Sequence, residues 1–336
     1  MFKAFLVFMF FLASCGDHSQ IQILPKKTKF GFAENVVETH GRLQVKGSQL
    51  VDQYGEAIQL KGMSSHGLQW YQGYAYANEN TMKKLRDEWN QTVFRAAMYT
   101  AEGGYLQNPD TLKARVHEIV KAAIELNTYV IIDWHILSDR NPLWNKDKAK
   151  VFFAEMAKAY ASYPNVIYEL ANEPNGGDVN WYNAIKPYAL EVIPEIRRYD
   201  SLGVIIVGTG TWSQDVQDPA KDPIKMSNIM YACHFYAGTH GSYLRDRVAN
   251  AMNSGIAIFV TEWGTMGSSG DGGINYGETQ AWMNFLEQKK VSWANWSLSN
   301  SGQTHSILKS GANTQGGWGE NDISESGKLV RGYMKK

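Results

Sequence analysis

Two apolar patterns alternate along this chain. Short apolar runs occur at Ile58–Ser65, Thr92–Tyr99, Tyr129–His135, Val166–Glu173, Val204–Gly208, Met230–Tyr236, Ile256–Glu262 and Val291–Ser297. Between most of them, apolar residues recur at helical spacing: Met82, Leu85 and Trp89; Leu112, Val116, Ile119 and Ala123; Phe152, Met156, Ala159 and Tyr160; Tyr188, Val192 and Ile196; Leu244, Val248 and Met252; Trp282, Phe285 and Leu286. The runs predict buried strands, and the spaced stretches predict helices with one apolar stripe. Pro187 is expected near a helix start and Pro194 at a kink. Leu329, Val330 and Tyr333 predict a last helix within Ser324–Lys336.

Apolar strands alternating with amphipathic helices imply a parallel sheet, and eight such units close into a barrel more readily than they stay open. The predicted fold class is therefore α/β, a (β/α)8 or TIM barrel, preceded by a short β-hairpin at Leu43–Gly55. An open doubly wound sheet would carry a glycine-rich phosphate turn after its first strand, whereas Ser64-Ser65-His66-Gly67 stands there. Residues 36–336 are expected to form one domain.

Barrel enzymes gather their chemistry at the C-terminal strand ends. Here those tips read His66, Arg95, His135, Asn172-Glu173, His234 and Tyr236, Glu262 and Trp296. Pro174, lacking an N–H, is expected to end the fourth strand at Glu173. Taken singly, His66 and His234 suit core histidines, and Arg95 suits a structural ion pair. Together they make an ionisable ring that chance would not place at one rim.

Composition refines this picture at two points. The net charge is zero, so nothing suggests nucleic acid or another polyanion as partner, while 11 Trp and 18 Tyr suit a protein that grips flat sugar faces. Lys3 followed by the apolar Phe5–Leu12 run reads as a signal peptide over 1–14, too short to span a bilayer. Leu12-Ala13-Ser14-Cys15-Gly16 resembles a bacterial lipobox, so Cys15 is expected to be acylated and to hold the protein on a membrane, at the cell surface or in the periplasm. The alternative is simple secretion. Residues 15–35 read as a polar tether, and with Cys233 on a predicted core strand no disulfide framework is available.

Two carboxylic acids at barrel tips fit glycoside hydrolysis, in which one acid protonates the leaving oxygen and the other attacks or activates water. Metal hydrolysis is the competitor. It usually needs two histidines close together on one strand, and these lie singly at separate tips, so no metal and no cofactor is expected. An inward Arg95 would keep Glu262 ionised, Tyr236 would donate to the same carboxylate, and the Asn172 amide would reach a substrate hydroxyl. Trp134 and Trp263 are expected to be packing residues.

The segments His66-Gly67-Leu68-Gln69-Trp70-Tyr71, Phe94–Tyr99, Ile132-Asp133-Trp134-His135, Asn172-Glu173-Pro174, His234-Phe235-Tyr236, Thr261-Glu262-Trp263-Gly264 and Asn295-Trp296-Ser297 together resemble glycoside hydrolase family 5, within it the bacterial endo-β-1,4-glucanases. The resemblance runs from about Leu43 to the C-terminus. It implies a retaining double displacement with Glu173 as acid/base and Glu262 as nucleophile, oriented by Arg95, His135, Asn172, His234 and Tyr236. It also implies sugar contacts from His66, Trp70, Tyr71, Tyr99, His135, Trp212, Tyr236, Ser268, Ser269 and Trp296. Many relatives carry a Lys and a Glu shortly after the last-strand Trp. Ser301 and Gln303 replace them here, so this loop is expected to bind its sugar more weakly. The expected partner is a cellulose or related β-1,4-glucan chain and the expected state a monomer. Mannan, mixed-linkage glucan or xyloglucan remain alternative substrates, and a non-catalytic, surface-anchored glycan binder remains the alternative from another class.

Overall fold

The computed structural model describes residues 35–336. The expected leader, nearly all of the tether and the acylation of Cys15 lie outside the described residues. Among those residues, no helix is long and apolar enough to cross a membrane.

A small antiparallel hairpin, β1 (Gln44–Lys46) and β2 (Gln49–Val51), precedes the barrel. Eight parallel strands follow: β3 (Lys61–Ser65), β4 (Val93–Tyr99), β5 (Tyr129–His135), β6 (Val166–Glu169), β7 (Val204–Val207), β8 (Ile229–Tyr236), β9 (Ile258–Gly264) and β10 (Trp293–Leu298). They close in sequence order, with β10 pairing back onto β3. This is the (β/α)8 barrel that the alternation predicts.

Helices Glu79–Trp89, Pro109–Glu125, Lys146–Tyr160, Lys186–Arg197, Ser242–Asn253, Tyr276–Lys289 and Glu325–Met334 carry the apolar stripes. Pro187 lies in the first turn of its helix, as expected. Pro194 does not end that helix, which continues to Arg197. Between β7 and β8 only the short turns Gly210–Ser213 and Gln217–Lys221 are helical.

Several strand boundaries differ from expectation, β10 among them, which runs Trp293–Leu298 rather than Val291–Ser297. Ile58 N donates to Leu50 O of the hairpin and Leu60 N to Ser292 Oγ beside β10, so residues 58–60 lead from the hairpin into the barrel and β3 starts only at Lys61. The predicted Ile256–Glu262 run begins at Ile258 and extends to Gly264. Most consequentially, β6 ends at Glu169 rather than Glu173. Leu170 N still bonds Ile206 O on the β7 side, but Asn172 N bonds Trp134 O on the β5 side, so the chain leaves the ladder and crosses the strand end.

Alternation sorts the core into two layers. Phe94, Ala96, Met98, Val130, Ile132 and Trp134 face the helices, whereas Val93, Tyr129, Ile131, Ile167, Ile206, Met230 and Phe259 fill the barrel with Leu43, Leu50 and Ile58 of the hairpin region. The hairpin plugs the N-terminal end. Above this apolar layer, the next inward positions on β4, β5 and β6 are Arg95, Asp133 and Glu169, all fully buried.

Candidate active site

Arg95 is the centre of that charged layer. Its Nε donates to Glu169 Oε2 (2.7 Å), its Nη1 to Glu262 Oε2 (3.0 Å) and its Nη2 to Asn172 Oδ1 (2.6 Å), while Nη2 also lies 3.0 Å from Asp133 Oδ2. Burial disfavours the guanidinium charge, but Asp133, Glu169 and Glu262 outweigh it and hold Arg95 more firmly charged than usual.

Glu262 reaches this network because β9 carries an extra residue. Ala232 pairs with Phe259 but His234 pairs with Glu262, so two steps on β8 match three on β9. Such a bulge breaks alternation and lets Thr261 and Glu262 both face the interior. Glu262 Oε1 accepts from Tyr236 OH at 2.7 Å. Burial pushes its carboxyl up, but His234, Arg95 and the tyrosine O–H bring it below the ordinary range. Glu173 goes the other way, raised by burial and by the nearby Glu262 charge against a hydrogen bond from His234. One acid thus holds its proton more firmly than usual and its neighbour gives its proton up more readily, so the two environments push the pair apart.

His234 Nδ1 lies 2.9 Å from Glu173 Oε1, and its Nε2 lies 2.9 Å from Thr261 Oγ1. Burial opposes its charge, yet Glu169 and Glu173 raise it to about 9. One ligand atom each from Glu173, His234 and Glu262 lies within 4.8 Å of the others, and among the described residues this is the grouping that could hold a cation. A protonated imidazole offers no lone pair, so the site as charged favours protons over a metal.

Deeper in the barrel, burial raises Asp133 well above the carboxylate range, the Arg95 charge notwithstanding, and Glu169 falls to about 2 because Arg95 and His234 outweigh its burial. Three carboxyls compete for one guanidinium, and Asp133 is the one whose ionisation is pushed to higher pH. Asp133 Oδ2 sits 2.6 Å from His135 Nδ1, and burial, followed by the Arg95 charge, lowers that histidine to about 3, so it stays neutral.

These groups open into a cleft of about 780 Å³ lined by His66, Trp70, Tyr99, His135, Glu173, Trp212, His234, Tyr236, Glu262, Ser268, Ser269, Trp296 and Gln303. Trp296 packs beside His135 with ring centroids 5.4 Å apart, and His135 stacks on Tyr99 at 4.1 Å. In the ring of strands β3 and β7 stand opposite one another, so Trp70 after β3 and Trp212 after β7 bracket the carboxyl pair from two sides.

The family model for cellulase (glycosyl hydrolase family 5) matches residues 51–302. The chain belongs to that family. It is 57% identical over 291 residues to an endoglucanase of Clostridium saccharobutylicum, an alignment covering 87% of this chain and 64% of that protein. It is 55% identical over 299 residues to endoglucanase 5 of Pectobacterium carotovorum subsp. carotovorum, covering 89% of this chain and 58% of that one. The chain therefore spans about three fifths of the length of these curated relatives. Among solved structures, the catalytic domain of a Thermobifida fusca endoglucanase superposes with a TM-score of 0.85 at 37% identity, covering 90% of this chain and 100% of that domain. A variant of the same domain, with equal TM-score and identity, was solved in complex with cellotetraose.

Against the expectations for this family 5 chain, some residues fall elsewhere. Tyr71 is 58% exposed, meets Tyr74 edge-on and does not line the cleft. Ser301 is turned to Ser306 and His305 rather than to the cleft. Arg95 and Asn172 sit beneath the cleft. Asn172 accepts from Arg95 and donates to Ile136 O, which leaves only its second Nδ2 hydrogen for the hydroxyl it was expected to reach. Trp134 and Trp263 are fully buried packing residues, as expected.

Sequence reasoning missed Asp133 and Glu169. Their signal was an acid at an inward position of a buried strand, two residues from an inward apolar residue. His305 was also missed. It lines the cleft, stacks on His66 with centroids 5.3 Å apart, and meets Gln303 Oε1 through Nε2 at 3.1 Å. A lone histidine in a serine-rich loop carries no comparable signal.

Proposed function

We propose that this chain is a retaining endo-1,4-β-glucanase, cutting internal β-1,4-glucosidic bonds of cellulose and related glucans. The observation that carries this reading is the carboxyl pair: oxygens of Glu173 and Glu262 lie within 4.8 Å at the floor of an open cleft. Retaining chemistry calls for carboxyl groups about 5 to 5.5 Å apart, and inverting chemistry for more than about 6.5 Å. Family membership and relatives named endoglucanases support the same reading, as does a similar domain solved with cellotetraose.

In this mechanism Glu173 protonates the glycosidic oxygen while Glu262 attacks the anomeric carbon, breaking the bond to the leaving sugar and forming a glycosyl ester. Esterification removes the Glu262 charge, which is one reason Glu173 holds its proton. Glu173 then ionises more readily and takes a proton from the incoming water. Arg95 and Tyr236 keep the nucleophile ionised. His135, neutral and beside Asp133, orients the sugar with Tyr99 and Trp296. His66, Trp70, Trp212, Ser268, Ser269 and Gln303 hold sugars farther along the cleft.

Residues 36–336 act as one catalytic unit in this reading, working as a monomer. The segment 1–14 is the leader that exports it, and residues 15–35 tether it to a lipid on Cys15. The test is hydrolysis of soluble cellulose derivatives with the product anomer followed by NMR. The β-anomer should appear first, and Glu173→Gln and Glu262→Gln should each lose orders of magnitude in rate. An initial α-product, or full activity in either variant, would refute the assignment. A panel including mannan, mixed-linkage glucan and xyloglucan fixes the preferred chain.

A further inference from the structure

Four acids, Asp133, Glu169, Glu173 and Glu262, share one buried pocket with two bases, Arg95 and His234. The layer is neutral only if two acids are ionised, and Glu169 touches both bases. Its Oε2 accepts from Arg95 Nε (2.7 Å), its Oε1 lies 3.3 Å from Arg95 Nη2, and the same Oε1 lies 3.9 Å from His234 Nε2. Each base uses its remaining face on a different catalytic carboxyl: Arg95 Nη1 on Glu262 at 3.0 Å, His234 Nδ1 on Glu173 at 2.9 Å.

We infer that Glu169 is a positioning residue for both halves of the reaction, an anionic hub that orients Arg95 towards the nucleophile and keeps His234 as a cation behind the acid/base. The inference rests on the catalytic roles proposed above for Glu173 and Glu262, and gives Glu169 no contact with substrate.

The geometry makes the assignment asymmetric. A guanidinium bound through Nε and one Nη by a fixed carboxylate has its other Nη aimed in one direction, which a neutral amide at Glu169 would hold less firmly. The imidazole has Thr261 Oγ1 nearer to Nε2 than Glu169, so a neutral His234 could satisfy its hydrogen bonds without Glu169. What Glu169 adds there is charge. The ionisable groups facing Glu169 are Arg95 from β4, Asp133 from β5 with His135 behind it, His234 from β8, and Glu262 from β9, with Glu173 beyond His234. Burial pushes Asp133 up while Arg95 and His234 pull Glu169 down, so Glu169 is the readier of the two to carry charge on that side of His234.

The experiment follows the His234 ring nitrogens by NMR across roughly pH 5 to 10. It uses the wild type, Glu173→Gln and Glu169→Gln, together with kcat and KM for the last. In Glu173→Gln, where the acid/base charge is gone, His234 should still titrate well above the ordinary histidine range. In Glu169→Gln its titration should fall by about one unit or more, and kcat should fall at least about tenfold with KM held. Greater exposure of the ring alone would raise its titration, because burial opposes the imidazolium, so a fall reports lost negative charge. An ordinary His234 titration in Glu173→Gln, or an unchanged one in Glu169→Gln, overturns the inference. If Glu169→Gln does not fold, the titration of the double variant Glu173→Gln/Glu262→Gln decides, because it removes the other two carboxyls that raise His234: a value still well above the ordinary range supports the inference and an ordinary one overturns it. Failure here leaves the roles of Glu173 and Glu262 intact, because those are tested by hydrolysis and not by His234.

Discussion

Arg95 Nη1 lies 3.0 Å from Glu262 Oε2, with the arginine fully buried and the glutamate only 5% exposed. At that depth the pair is little screened, so the arginine does more than balance charge: it decides which of the buried carboxyls stays ionised.

Arg95→Lys tests this directly. A lysine keeps the positive charge but has one nitrogen to serve Glu169, Glu262, Asn172 and Asp133, which Arg95 reaches through three. The expected result is a fall of about a hundredfold or more in kcat/KM. Arg95 lowers the Glu262 carboxyl, so loosening the contact raises it, and the acid limb of the pH profile should move to higher pH. Arg95→Ala leaves buried carboxylates unpaired and should cost about 3 to 5 kcal/mol in denaturant unfolding.

Stability at alkaline pH should depend on His234. Its folded pKa is raised from 6.5 to about 9, so its contribution is complete below pH 6.5 and disappears as pH rises through about 9. The wild type should therefore lose melting temperature across that window relative to His234→Gln, which lacks the titrating ring. Parallel melting curves of the two proteins from neutral to alkaline pH would contradict the buried imidazolium.

How much of this was readable in advance depends on which local rule held. Strand β5 is Tyr129–His135, as the apolar run indicated, because alternation persists through it and its ends coincide with polar tips. The same alternation marks Asp133 and Glu169 as inward acids, two residues on from the inward Ile131 and Ile167. Glu262 is different. Strict alternation from Phe259 would turn it towards the helices, and only the extra residue of β9 brings it inward. A bulge depends on the partner strand's register, which local sequence does not encode. Glu173 likewise sits beyond β6 on a crossing segment held by Trp134 O, a tertiary bond with no local signature.

That crossing segment depends on Gly208. A Cβ there would lie 2.1 Å from Ala171 O and 3.0 Å from Pro174 Cδ, on either side of Asn172 and Glu173. Backbone cannot yield as a flexible side chain does, so Gly208→Ala should displace Glu173 from His234 without touching the cleft surface. Displacement of a positioned acid by about 1 Å can cost about a hundredfold in kcat. The expected pattern is a large fall in kcat, a small change in KM for cello-oligosaccharides, and a lowered melting temperature. Unchanged kcat would mean the segment is positioned from elsewhere.

The turn after β7 carries a strain that the proposed function can explain. Thr211, Trp212 and Ser213 have φ of 52°, 53° and 57°, three consecutive side chains in the region that favours glycine. Such a run costs roughly 1 to 2 kcal/mol per residue and persists only where surroundings impose it. Here Trp212 N donates to Pro174 O and Ser213 Oγ donates to Asn172 O, so the turn clasps the segment carrying Glu173 while presenting an indole that is 47% exposed to the cleft. Trp212→Gly keeps the backbone bond, relieves one strained residue and removes the platform. Trp212→Ala removes the platform alone. Both should weaken binding of long cello-oligosaccharides by about tenfold, the worth of one sugar–aromatic stack at roughly 1 to 1.5 kcal/mol. Only the glycine variant should melt higher than the alanine one. Equal melting temperatures would show that the turn bears no strain, and unchanged affinity in both would remove Trp212 from the sugar path.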